Sequence, residues 1–364
     1  MLGIKVGYWI VLLCLVWFFP RMDVARFNTT MPWPRTASAT GGPTIGSYFA
    51  TWDAAHYLLL SEIGYVHGTN SCAFYPLLPA SIKVFSFLTL GNHLLAGLIV
   101  CNVASLLGWG LFFQLVAERH DRRTAAFALA FLVAYPGALF FQFVYSESLF
   151  FFLLMFLWWG LERKRYGIIL VAGILLVLTR PVGIFCVVPI VWHLHHNHVP
   201  WKNLWCAIGP LLGWAIYFLL MKVLTGNPWE GFEAQKSWDT HSAAKILNVP
   251  QFLDELISPT AWHNYRGSFL DRVFVILLIS CLPVIWKQDR ALFWWAVSLG
   301  ILPAMTGTFA SATRFVTLAF PMFIAFAVLF RDPQRRMARV VILTAFVGVH
   351  SWMLFRHMNF RWAG

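Results

Sequence analysis

The sequence predicts an all-α polytopic membrane protein, a single transmembrane domain over residues 1–364 with about eleven spans. Three observations predict it. Of 364 residues, 59% are hydrophobic and 12% charged, with a mean hydropathy of +0.68. A water-soluble domain carries roughly a quarter charged residues, so this chain has too little polar surface to face water. Apolar runs long enough to cross a bilayer recur from end to end. Lys and Arg fall in short clusters between those runs, which is how orientation in a membrane is encoded. The net charge of +12 is spread over these clusters and forms no single patch, so the partner it implies is a lipid bilayer and not nucleic acid.

The apolar runs lie at 4–20, 94–117, 124–143, 147–161, 167–192, 204–224, 268–286, 291–310, 315–330 and 339–356. The first carries one charge, Lys5, and no small-x-small cleavage site follows it, so it reads as a retained span and not a signal peptide. Residues 21–92 form a first long extracytoplasmic loop. Within it, 76–92 is apolar on one face with Lys83 and Ser86 on the other, the pattern of a helix lying at the membrane interface. The run 167–192 is interrupted by Thr179-Arg180-Pro181, so its second half spans separately. The clusters at 118–123, 162–165, 287–290 and 331–339 can then all face the cytoplasm, with the N-terminus inside and the C-terminus outside. A second long extracytoplasmic loop covers 225–267, and Tyr145–Ser148, Thr179–Gly183 and Ser311–Arg314 emerge on the same face. Many of the 19 Trp sit near the ends of apolar runs, where interfacial rings belong. The six Cys contain no CxxC pair, which argues against a metal knuckle or a disulfide framework.

A charge near a membrane boundary is costly and marks a functional candidate. Five of the fifteen carboxylates fall in the cytoplasmic clusters, and two of the rest are flanked by apolar sequence: Asp53 and Glu147. If 52–62 is helical, Asp53, His56 and Tyr57 share one face; the competing reading is that Asp53 caps this helix. Arg180 and Arg314 offer planar forks suited to phosphate oxygens, against the alternatives of snorkelling or pairing with Glu147. In the second loop, Lys236 could meet a phosphate and Gln235 or Trp238 a sugar, although taken alone an ordinary solvated loop is the better reading. The His195-His196-Asn197-His198 cluster has no acid or Cys beside it to complete a metal site.

Trp52-Asp53-Ala54-Ala55-His56-Tyr57, Gly64-Tyr65 and Ala73-Phe74-Tyr75-Pro76-Leu77-Leu78-Pro79 resemble the WDAxxY…GY…FFPLYP signature of the PIG-V mannosyltransferases. Tyr145-Ser146-Glu147-Ser148 and Thr179-Arg180-Pro181-Val182-Gly183 resemble that family's YSES and TRPxG elements. Gln235–Trp238 and Arg314-Phe315 through Pro321 match its later positions. Tyr75, Leu78 and Phe315 depart from the usual residues without removing a charge. The resemblance implies a GT-C fold with its catalytic acid, here Asp53, in the first extracytoplasmic loop. It also implies a polyprenyl-phosphate mannose donor, inverting transfer and a glycolipid or glycan acceptor. On this basis Asp53 is the expected general base, and Arg180, Arg314 and Lys236 the expected phosphate ligands. Trp52, His56, Tyr57, Tyr75, Glu147, Gln235 and Trp238 would bind substrate, with no cofactor or metal required. Eukaryotic members act on a GPI precursor in the ER lumen; this chain is short for one, which favours a bacterial inner membrane with the site facing outward. The rival reading is a transporter or flippase of lipid-linked sugars, which should carry internal repeats or paired broken helices that the sequence does not display.

Overall fold

The computed structural model describes residues 1–18, 32–33, 44–237, 246–258, 269–306 and 309–363. Every regular element among the described residues is helical. Four helices are long and apolar enough to cross a membrane: His93–Arg119, Trp201–Thr225, Phe269–Gln288 and Pro333–Met358. Ala312–Leu318 and Pro321–Phe330 qualify together but meet at 74°.

Several apolar runs are therefore broken where composition reads as continuous. The run 124–143 is a helix only over Arg122–Ala134 and then tightens into a 3₁₀ turn, Pro136–Phe141. Pro136 disfavours a helical Tyr135 and supplies no N–H to the ladder, so the helix ends there. Pro321 acts likewise between the two bent helices. The break expected at Thr179-Arg180-Pro181 is present: helix Tyr166–Thr179 ends, a 3₁₀ turn Pro181–Cys186 follows, and helix Val187–His196 resumes.

Breaks inside an apolar bundle expose backbone carbonyls that need partners. Lys5, which reads as the lone charge of the first apolar run, supplies one. It is buried, and its Nζ donates to the Phe141 carbonyl at 2.8 Å, Gln142 Oε1 at 2.8 Å and Asn102 Oδ1 at 3.0 Å. The same turn seats helix Ala312–Leu318: a Cβ on Gly137 would lie 2.1 Å from Thr317 Oγ1 and 2.5 Å from the Thr313 carbonyl, an approach only glycine permits.

The charged loops gather at one end. Arg119 pairs with Glu162 at 2.8 Å and with Asp289, Arg163 with Glu118 at 2.7 Å, and Arg331 with Asp121 at 3.6 Å. Helix Ser146–Glu162 carries Glu162 at that end and Glu147 at the other, about 22 Å away along the axis.

At the Glu147 end, the first long loop folds into short helices: Ile45–Phe49, Asp53–Ile63, Asn70–Ala73 and Leu77–Ser86. From the second loop, helix Glu230–Lys236 seats on the 70–73 turn. Buried Glu230 accepts from His67 Nδ1 and from the Gly68 amide, both at 2.6 Å. A Cβ at Gly231 would fall 1.8 Å from the Tyr217 hydroxyl and 3.0 Å from the Cys72 carbonyl. Gly231→Ala is therefore expected to push this helix away from both Tyr217 of helix Gly209–Thr225 and the first loop, an overpacking cost of about 1–3 kcal/mol. Faster limited proteolysis within 225–267, with the bundle intact, is the measurement; an unchanged cleavage rate would show that the two loops are not docked this way.

Candidate active site

Four segments far apart in sequence each deliver one charged side chain to the Glu147 end. Asp53 opens the helix Asp53–Ile63; Glu147 lies in the first turn of Ser146–Glu162; Arg180 stands at the break after Tyr166–Thr179; Arg314 lies in the first turn of Ala312–Leu318. Each sits beside an irregular stretch, so its charge is brought in at the end of an apolar helix and not along it.

The four form a chain of ion pairs. Arg314 Nη2 meets Asp53 Oδ2 at 2.9 Å. Arg314 also donates to Glu147 Oε1, from Nε at 2.8 Å and from Nη2 at 2.7 Å. Arg180 Nη1 reaches the same Glu147 Oε1 at 2.6 Å and Ser146 Oγ at 3.2 Å. The order is Asp53, Arg314, Glu147, Arg180, with formal charges that cancel. Glu147 is fully buried, Arg314 and Arg180 are 6% and 9% exposed, and Asp53 is the most accessible at 20%. Aromatic faces enclose the cations: Arg314 lies over Phe140 at 4.6 Å and Tyr145 at 4.9 Å, and Arg180 over Phe315 at 5.1 Å.

Pairing with Glu147, the alternative to phosphate binding for the two arginines, is thus what their guanidinium groups do here. Capping is not what Asp53 does: Trp52 occupies the cap position, in a left-handed conformation (φ 55°), and the Asp53 carboxylate turns to Arg314. Trp52 stacks on Phe360 with ring centroids 4.6 Å apart.

His56 and Tyr57 both pack on Phe74, His56 stacked at 4.6 Å and Tyr57 edge-on at 5.1 Å. His56 Nδ1 also bonds Ser71 Oγ at 2.9 Å, so its ring braces the first loop. Tyr75 is buried elsewhere, stacked on Tyr217 at 4.5 Å. Lys236 is exposed at the end of helix Glu230–Lys236, outside the ion chain, and Gln235 lies beside it, half-buried. Trp238 lies outside the described residues. Among the described residues no group of three His, Cys, Asp or Glu is placed to hold a metal ion.

Burial lowers the His56 pKa to about 4, against a smaller opposing pull from Asp53. The unfolded side chain titrates near 6.5, so between pH 6.5 and 4 the unfolded chain binds more protons and stability falls as pH falls; above 6.5 the contribution is full and flat. His56→Gln is expected to flatten the fall in thermal stability across that window relative to the parent. An identical slope in both proteins would remove His56 from the account.

Sequence reasoning missed Asp271. This buried carboxylate accepts from the Thr313 amide at 2.8 Å and from Thr313 Oγ1 at 2.7 Å, and so fixes the start of the helix that carries Arg314. Its signal was partly available: Phe269-Leu270 before it and Val273 beyond Arg272 are apolar, although the adjacent Arg272 offers a local counter-charge that Glu147 lacks. His357 and Trp362 were also missed. His357 Nε2 bonds Thr51 Oγ1 at 3.1 Å, and Trp362 lies over Arg314 at 5.7 Å.

A family model described as Mannosyltransferase (PIG-V) matches residues 8–198. No curated protein matches the chain in sequence. Among solved structures, the apo oligosaccharyltransferase of Archaeoglobus fulgidus is similar with a TM-score of 0.53 at 14% identity, over 100% of this chain and 56% of its own. This chain thus spans about half the length of the archaeal enzyme. ArnT from Cupriavidus metallidurans, bound to undecaprenyl phosphate, has a TM-score of 0.48 at 16% identity, over 97% of this chain and 74% of that one. The oligosaccharyltransferase is a GT-C glycosyltransferase, and the likeness gives this chain the GT-C helical arrangement.

Proposed function

The chain belongs to the PIG-V mannosyltransferase family, and from that premise we propose that it moves mannose from a polyprenyl-phosphate donor to a glycolipid or glycan acceptor, with inversion. The single observation that carries this reading is the chain Asp53–Arg314–Glu147–Arg180 at the end of the bundle opposite the charged loops.

Inverting displacement needs a base on one side of the anomeric carbon and a stabilised leaving group on the other. The network has an acid at one end and a cation at the other. The acceptor oxygen forms its bond to the anomeric carbon as the bond from that carbon to the phosphate oxygen breaks. The acceptor proton passes to Asp53, and polyprenyl phosphate departs with the electron pair. Arg314 touches Asp53, so protonation of Asp53 removes a counter-charge from Arg314 as negative charge grows on the phosphate. Fixed cations act most strongly on charge that develops in the transition state. Glu147 orients both guanidinium groups. Lys236 is offered as a more distant phosphate ligand, and Trp52, His56, Tyr57 and Gln235 as the walls of the substrate site.

The finer topology belongs to the same proposal. Eleven spans over a single domain put the ion-paired loops in the cytoplasm and the site on the outer face of a bacterial inner membrane. Residues 44–92 and 225–237, the described stretches that carry Asp53 and helix Glu230–Lys236, then lie on that outer side. Helix Leu77–Ser86 leads into Phe87, Leu88 and Leu90, exposed at 80%, 78% and 98%, which supports an interfacial setting for this part of the first loop.

The test uses purified protein in detergent with polyprenyl-phosphate mannose. Release of polyprenyl phosphate with a mannosyl product of inverted anomeric configuration is expected. Donor binding without release, together with movement of the donor across proteoliposome membranes, would instead support the transporter reading.

A further inference from the structure

The mouth of the ion chain is aromatic. Arg314, Glu147 and Arg180 are buried, while Trp52, Asp53, Phe315 and Trp362 keep partial access. Trp362 reaches this mouth by a built turn. Helix Arg336–Met358 ends at Asn359, Phe360 adopts a left-handed φ of 55°, and the Arg361 amide returns to the Arg356 carbonyl at 2.9 Å. A phenylalanine adopts that conformation only at a cost, here met by stacking on Trp52. Arg356 Nε then holds the Trp362 carbonyl at 3.1 Å. The result sets the Trp362 ring edge-on to Trp52 at 5.3 Å.

Two indoles beside one accessible carboxylate suit a particular chemistry. A pyranose offers a C–H face that stacks on an aromatic ring and hydroxyl edges that donate to a carboxylate. A phosphate would meet the repulsion of Asp53, and a lipid chain has no use for the acid. We propose that Trp362, together with Trp52, is the platform on which the pyranose ring of the acceptor stacks, and that it sets which acceptors are used. The proposal rests on the reading of Asp53 as the base, since the acceptor hydroxyl must face that carboxylate.

The experiment uses the full chain in detergent, polyprenyl-phosphate mannose as donor and octyl α-D-mannopyranoside as the acceptor probe. Trp362→Ala is expected to raise the KM for the mannoside by about tenfold, the size of a lost aromatic stacking contact, with the KM for the donor moving less than about threefold. Trp362→Phe should restore most of the loss. If the alanine variant does not fold, Trp362→Leu against Trp362→Phe carries the same comparison. The proposal is overturned by an unmoved mannoside KM, or by donor and mannoside KM rising together, which would make Trp362 a support for Arg314. It is also overturned if the parent protein cleaves the donor but shows no saturable use of the mannoside. Absence of any donor cleavage by the parent overturns the transferase reading itself, and this proposal with it.

Discussion

Glu147→Gln is expected to destabilise the protein by about 3–5 kcal/mol, the range for breaking a buried ion pair by removing one partner. Glu147 is fully buried and its Oε1 takes hydrogen bonds from both arginines. Glutamine keeps the volume and a carbonyl acceptor but removes the charge. Arg314 would retain Asp53, whereas Arg180 would be left 9% exposed with only Ser146 among its described hydrogen-bond partners. The measurements are thermal unfolding in detergent and the yield of folded protein. Since Arg180 would be the cation left without a carboxylate, Arg180→Met in the Glu147→Gln background should recover part of the loss. A Glu147→Gln protein as stable as its parent would remove Glu147 as the hub of the site.

Asp53→Asn should behave differently. Asp53 lies at the rim of the network, 20% exposed, and an asparagine carbonyl can still accept from Arg314. Folding and donor binding should therefore stay close to those of the parent. Turnover should fall by about 10²–10⁴-fold, the usual worth of a positioned general base. Single-turnover transfer with donor binding measured in parallel separates the two effects. Transfer at the parental rate would exclude Asp53 as the base, and a large loss of stability would recast it as a structural partner of Arg314. Together the two substitutions divide one ion network into a supporting centre and a reacting edge.

The four charges were legible because each interrupts an apolar context, where an ionised group is too costly to be incidental. Their connection was not. Arg314 and Glu147 lie 167 positions apart and Arg314 and Asp53 lie 261 apart, distances at which no local periodicity carries information. The helix breaks were legible only in part. Thr179-Arg180-Pro181 announces itself with a charge and a proline together, whereas Pro136 and Pro321 sit within apolar sequence that reads as continuous. Lys5 shows the same limit: a lysine beside an apolar run signals orientation, but its contact with the Phe141 carbonyl depends on a turn far along the chain. Asp271 was partly recognisable by the rule that marked Glu147. Trp362 could not, because its place depends on a left-handed phenylalanine that no pattern announces.

The sequence order of the ion chain bears on how the protein is made. Arg180 follows Ser146 by 34 positions, so Glu147 gains its first counter-ion within the single hairpin of helices Ser146–Glu162 and Tyr166–Thr179. Arg314 is synthesised much later, and until it arrives Asp53 lacks the arginine it pairs with among the described residues. A nascent chain halted before residue 312 would therefore hold the Glu147–Arg180 pair already matched and Asp53 still without Arg314, and the charges of the network would balance only once residue 314 is made.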